Sequence, residues 1–155
     1  MTWESEIENI KTLRKLAIEQ GGQDNVDRQH AKGRLTVRER VEALLDPGSF
    51  QEVGPISGTS QRDKDGQLIS FTPANFILGF GKIYERTCVV SGEDFTVKGG
   101  SPNASGLRKS IYAEHLACLH RVPLIRLHEG GGGSVGGTGG STTTVGTPVH
   151  EPHRF

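Results

Sequence analysis

The sequence predicts a mixed α/β fold, and three observations carry that prediction. The stretch "NFILGFGKIYERTCVVSGEDFTV" from Asn75 to Val97 is rich in β-branched and aromatic residues, the composition of paired strands. Apolar residues then recur at helical spacing from about Leu107 to Leu119, and Pro123 ends the run. Directly after it, "LIRL" (Leu124–Leu127) has the pattern of a short, mostly apolar strand, and a glycine tract follows. Strand, loop, helix and buried strand in that order make a βαβ unit with a parallel pair, which belongs to layered α/β architecture.

Two helices are expected ahead of this unit. In the first, Trp3, Ile7, Ile10, Leu13 and Ala17 fall on one helical face, with Leu16 beside them, and Gly21-Gly22 stops the pattern. That face suits docking against another surface. Around Asp24–Gly33 the chain is polar and reads as a connection. The second helix opens at Thr36-Val37-Arg38-Glu39, a T-x-x-E capping box, and Asp46-Pro47-Gly48 closes it after Val41, Leu44 and Leu45. Gln61–Gln67, "QRDKDGQ", reads as a polar turn or loop. Glu85-Arg86 reads as the turn between two strands, and Gly79 and Gly81 mark a bulge or a close backbone approach. On the helix before "RVP", Leu107, Ile111 and Cys118 share one face, widened by Tyr112, Leu116 and Leu119.

Bulk composition excludes several function classes. The 18 basic and 18 acidic residues cancel, and no block of basic residues offers a grip on nucleic acid or an anionic membrane. The longest apolar stretches, such as Val122–Leu127, are far too short to span a bilayer. The charged N-terminus lacks the apolar centre of a secretion signal. Cys88 and Cys118 are too far apart for a C-x-x-C motif and read as buried small hydrophobes in a reducing compartment, the cytoplasm or an organelle matrix. No metal site is expected: His150 and His153 flank Glu151, but Pro152 intervenes, and His115, His120 and His128 lack ligand spacing.

The 22 glycines are concentrated after Gly79, at the exits of the expected strands, where open α/β folds bind ligands. The tract Gly130–Gly140 allows three readings. A phosphate loop needs a lysine followed by Ser or Thr, yet Thr138 stands at the lysine position and the last lysine of the chain is Lys109. A flexible linker would follow a polar exit, whereas this tract follows a buried-strand pattern and opens with Glu129, which can pair at the strand end. The third reading is an oxyanion hole, in which glycines let backbone N–H groups face an oxygen that gains negative charge.

Three stretches together resemble the carboxyltransferase (β) subunit of biotin-dependent acyl-CoA carboxylases of the propionyl-CoA and methylcrotonyl-CoA carboxylase type. They are "RQHAKGRLTVRERVEALLDPGSFQEV" (Arg28–Val53), "EDFTVKGGS" (Glu93–Ser101) and "VPLIRLHEGGGGSV" (Val122–Val135). The last stands in the place of the family's "vPvi-l-dSGGAR". The resemblance implies a crotonase/ClpP-like ββα spiral, incomplete in this chain. It divides the chain into a helical segment, 1–48, and a partial carboxyltransferase domain, 49–155.

The reaction that the resemblance implies moves a carboxyl group from carboxybiotin to the α-carbon of an acyl-CoA, by way of an enolate. Biotin would be carried by a partner carrier domain, with a biotin carboxylase as the further partner and a homo-oligomer of carboxyltransferase subunits as the assembly. By position, Gly131, Gly132 and Gly133 would line the acyl oxyanion hole, and Gly99, Gly100 and Ser101 would help hold the CoA arm. Arg108 and Lys109 would meet CoA phosphates, with solvated surface charge as the competing account of those two.

The chain departs from the family pattern at Ser134, where arginine is usual, and at Glu129 and Gly130, which stand for aspartate and serine. A wider loop of this kind suits a larger or branched acyl group. Family chains contain two related halves, so the sequence reads as the N-terminal part of such a subunit, inactive in carboxyl transfer by itself. The alternatives are the related decarboxylase subunit and a non-catalytic CoA-binding or assembly piece.

Overall fold

A computed structural model describes residues 3–101 and 103–129. Three helices come first: α1 (Glu4–Ile18), α2 (Gln23–His30) and α3 (Val37–Leu44). The strands β1 (Gln51–Glu52), β2 (Gly58–Arg62), β3 (Leu68–Pro73), β4 (Phe76–Ile83) and β5 (Arg86–Glu93) follow, then α4 (Ala104–His120) and β6 (Leu124–Leu127). The main sheet runs in the order β1-β4-β5-β6, and β2 and β3 form a separate hairpin. β5 and β6 are parallel, with Val89 opposite Leu124 and Gly92 opposite Leu127, so the expected βαβ unit is present.

β4 and β5 carry long apolar runs because both of their faces are covered. On one face Leu78 and Val89 pack with Ala113, Leu116 and Ala117 of α4. On the other, Cys88 and Val90 pack with Val41 of α3 and with Leu45. Gly79 and Gly81 lie on this second side within an unbroken β4–β5 register. A Cβ on Gly81 would sit 2.3 Å from Leu45 Cδ1, and one on Gly79 would sit 2.5 Å from the Gln51 carbonyl oxygen. Close approach, not a bulge, accounts for both glycines.

Several local expectations need correction. The segment Asp24–Gly33 is largely helical, because α2 is anchored by Gln29, which is buried. The α3 start is as expected: Thr36 Oγ1 accepts from the Glu39 amide at 3.3 Å, and the Glu39 carboxylate accepts from the Thr36 amide at 2.7 Å. Gln61 and Arg62 belong to β2, and the turn is held by Asp63, whose carboxylate accepts from the amides of Asp65 and Gln67. The β4–β5 turn is Tyr84-Glu85, one residue earlier than expected.

The inward face of α4 is also not the expected one. Leu107, Ile111, Tyr112 and Leu119 are exposed, while Gly106, Lys109, Ala113, Leu116 and Ala117 are buried. Small residues let the helix lie close on the sheet, and the bulkier apolar residues are left outside. Cys118 is exposed as well, so only Cys88 is the buried thiol that the sequence suggested for both. Burial, then the neighbouring Asp46 carboxylate, push the Cys88 thiol pKa up. Among the described residues no helix is long and apolar enough to cross a membrane.

Candidate functional site

Because β5 and β6 are parallel neighbours, their carboxyl ends leave the sheet side by side. β5 leads into "EDFTVKGGS", and β6 leads through His128-Glu129 to the glycine tract. The two exits are tied together: His128 Nδ1 lies 3.2 Å from Glu93 Oε1.

The turn after β5 is built on Asp94. Its carboxylate accepts from the Thr96 amide at 2.9 Å and the Thr96 hydroxyl at 2.6 Å, and Thr96 Oγ1 in turn accepts from the Gly21 amide at 2.9 Å. Asp94 is buried, and burial holds its carboxyl above the usual aspartate range despite the Thr96 hydrogen bonds. Next come Lys98, Gly99 and Gly100, a single 3₁₀ turn with φ of 50°, 62° and 73°. Glycine is required most at 100, where a Cβ would also lie 2.6 Å from the Phe95 ring. Asn75, buried at the start of β4, fixes the end of the turn by donating to the Ser101 carbonyl at 2.6 Å. Asn103 then caps α4 by accepting from the Gly106 amide at 2.7 Å.

One turn into α4, Arg108 is exposed and Lys109 is buried. Surface solvation therefore does not describe Lys109. Its ammonium donates to the Gly54 carbonyl at 3.2 Å and lies 3.7 Å from Glu52 Oε1. Burial pushes its pKa down, and the Glu52 carboxylate draws it back up. Glu52 is also gripped by Arg38, at 2.9 Å and 3.3 Å through two guanidinium nitrogens. The second of those nitrogens also donates to the Ala17 carbonyl at the end of α1.

An open cleft of about 440 Å³ lies against α4, lined among others by Val53, Gly54, Ser57, Gly58, Ser105, Arg108, Lys109 and Tyr112. A second hollow of about 230 Å³ shares Gly58 and Ser105 with it and extends over Thr59, Thr72 and Lys98, beside the Gly99-Gly100 turn. Together they make a groove that begins at the glycine turn and passes the exposed Arg108. Residues Gly99, Gly100, Ser101, Arg108 and Lys109 thus fall in one neighbourhood. Gly131, Gly132 and Gly133 lie outside the described residues, as does the His150–His153 segment. Among the described residues no three His, Cys, Asp or Glu side chains are grouped to hold a metal ion.

Sequence reasoning did not identify Asn75, Glu52 or the buried role of Lys109. Glu52 and Arg38 were within a quoted motif, and an acidic residue in a half-buried strand was the available signal. Nothing local marked Lys109, because its partners come from β1 and the turn after it.

Comparison with known proteins agrees with this architecture. The carboxyl transferase domain family matches residues 28–145. A Mycobacterium tuberculosis protein described as "Probable biotin-dependent acyl-coenzyme A carboxylase beta2 subunit" is 36% identical over 132 residues, covering 84% of this chain and 24% of that protein. The mitochondrial propionyl-CoA carboxylase β chain of Homo sapiens is 35% identical over 132 residues, 83% of this chain and 24% of its own. Among solved structures, transcarboxylase 12S with methylmalonyl-CoA and methylmalonic acid bound superposes with a TM-score of 0.72 at 31% identity, covering 87% of this chain and 26% of that one. The chain spans about a quarter of the length of these relatives. Its mixed α/β fold with N-terminal helices is that of the crotonase-like carboxyltransferases. The chain belongs to the carboxyl transferase domain family.

Proposed function

We propose that this chain forms the acyl-CoA side of a biotin-dependent carboxyltransferase, as the N-terminal part of an acyl-CoA carboxylase β subunit. The observation that carries the reading is the groove along α4, which joins the Gly99-Gly100 turn to the exposed Arg108. A CoA thioester needs such an extended path: a cationic contact for its phosphates and close backbone for its pantetheine arm. In this reading Gly99, Gly100 and Ser101 hold the arm and Arg108 meets phosphate. Lys109 acts from behind, fixing the Gly54 carbonyl on the groove wall.

The acyl carbonyl would meet backbone N–H groups of Gly131, Gly132 and Gly133, which stabilise the enolate as its oxygen gains charge; one such donor contributes about 3 kcal/mol in other enzymes. Carboxybiotin, brought by a partner's carrier domain, supplies the carboxyl group. The helical segment 1–48 and the domain 49–155 divide this work into docking and substrate binding. The full reaction would also involve a biotin carboxylase partner and a homo-oligomer of the subunit, in the cytoplasm or a mitochondrial matrix.

Calorimetric titration of the purified chain with acetyl-CoA, propionyl-CoA and pantetheine tests the reading. Saturable binding of both thioesters is expected, weakened about tenfold by Arg108→Gln, whereas pantetheine affinity should be unmoved by that substitution. Absence of saturable thioester binding would sink the proposal.

A further inference from the structure

Two consecutive residues at the exit of β6 are tied to elements far away in sequence. Glu129 Oε1 accepts from Arg34 Nη1 at 3.0 Å and from Gln29 Nε2 at 3.4 Å. Arg40 Nη1 lies 3.9 Å from Glu129 Oε2, and Arg40 Nη2 donates to the His128 carbonyl at 3.3 Å. The Glu129 side chain is 17% exposed and the Arg40 side chain 27% exposed, so both are shielded from bulk water in part. Gln29 is buried on α2, and Arg40 lies on α3. The imidazole of His128 is placed against Glu93 at the end of β5. Backbone and side chain are therefore both held at the last position before Gly130.

Glycine has no side chain with which to anchor itself, and its backbone is the most permissive of all residues. Donors that stabilise a developing charge must nevertheless be set to within about 0.5 Å. For a glycine tract that precision has to be imposed at its ends. A carboxylate gripped by two guanidiniums and an amide supplies it, because charge-assisted bonds to a planar fork fix direction as well as position.

We infer that Arg40, with Arg34 and Gln29, positions the glycine loop by holding Glu129 and the His128 carbonyl. These are positioning residues: they act through Glu129 and set where the backbone N–H groups of residues 131–133 begin. The inference rests on the acyl-oxyanion reading of those glycines. It gives the N-terminal helices a part in the chemistry beyond docking, since α2 and α3 supply two of the three donors.

The test is a double-mutant cycle on the purified chain, with Arg40→Met, Glu129→Gln and the pair together. Amide hydrogen exchange and the amide resonances of Gly131–Gly133 are followed with and without acetyl-CoA. Each single variant should speed exchange immediately after residue 129 by about tenfold. The double variant should add nothing further, because both changes break one contact. Saturating acetyl-CoA should shift the three glycine resonances less in the variants than in the wild-type chain, which loss of mere packing would not produce. Glu129→Gln is isosteric, so it decides the matter if Arg40→Met lowers global stability. Unchanged glycine amides, or effects that simply add, overturn the clamp. If the wild-type chain does not bind acetyl-CoA at all, the oxyanion reading fails, while the exchange data in the free protein still judge the clamp.

Discussion

Glu52 sits between two cations in a half-buried setting, and its removal would leave Arg38 and Lys109 facing one another without a counter-charge. Leaving charge uncompensated in a shielded site costs about 3 kcal/mol or more. Glu52→Gln is therefore expected to destabilise by about 3 kcal/mol. Lys109→Met keeps the Arg38–Glu52 pair and forfeits chiefly the bond to the Gly54 carbonyl, a loss of about 1–2 kcal/mol. Urea unfolding of the two variants checks the order; an equal or reversed cost would show that Arg38 and Lys109 are not coupled through Glu52. The motif residues legible in sequence are thus partly scaffold. Thr36, Arg38, Glu52, Asp94 and Thr96 spend their polar groups on helix caps, ion pairs and turn amides. Glycine at 99 and 100 was legible as a special backbone, and the left-handed φ values supply the reason. Lys109 was not legible, because a buried ammonium is explained only by partners that the fold brings from another strand.

At the scale of elements, the β4–β5 turn carries a local conflict. Tyr84 and Glu85 have φ of 47° and 65°, the left-handed pair that a two-residue hairpin turn demands and that neither residue favours. Asp46, just past α3, compensates: its carboxylate accepts from the amides of Tyr84 at 2.9 Å and Glu85 at 2.8 Å. Replacing the turn by Asn-Gly (Y84N/E85G) relieves the strain while keeping both amides, and should stabilise by about 1 kcal/mol. Asp46→Ala removes both acceptors and should cost about 2 kcal/mol in the original turn. A thermal melt in which Asn-Gly lowers the midpoint would contradict this account. The same balance of local and distant effects explains which elements were readable. The βαβ unit was readable because its strands are covered on both faces and its helix is stopped by a proline. α2 and the β2–β3 hairpin were not, since α2 is polar throughout and β2, "GTSQR", has no apolar alternation. Distant anchors such as buried Gln29 leave no periodic trace.

For the whole molecule, the layered core is α3 on one face of the sheet and α4 on the other, with the glycine turn, the groove and the Glu129 contacts gathered at the carboxyl ends of β5 and β6. The reading of the candidate site from sequence reached its place in the fold, while the supports that hold it came only with tertiary structure. α4 turns Leu107, Ile111 and Leu119 outward, at 58%, 59% and 63% exposure, and Cys118 is exposed beside Leu119 on the same helix. Cys88, by contrast, is 3% exposed and its thiol is held in the protonated form by burial. In the folded protein a bulky maleimide should label one thiol promptly and reach the second only after denaturation; prompt labelling of two would contradict the placement of Cys88 in the core. The lone accessible sulfur therefore amounts to a built-in footprint on α4. Any molecule that settles over the outer side of that helix should slow alkylation at Cys118, and the ratio of rates would count its occupancy without a tag.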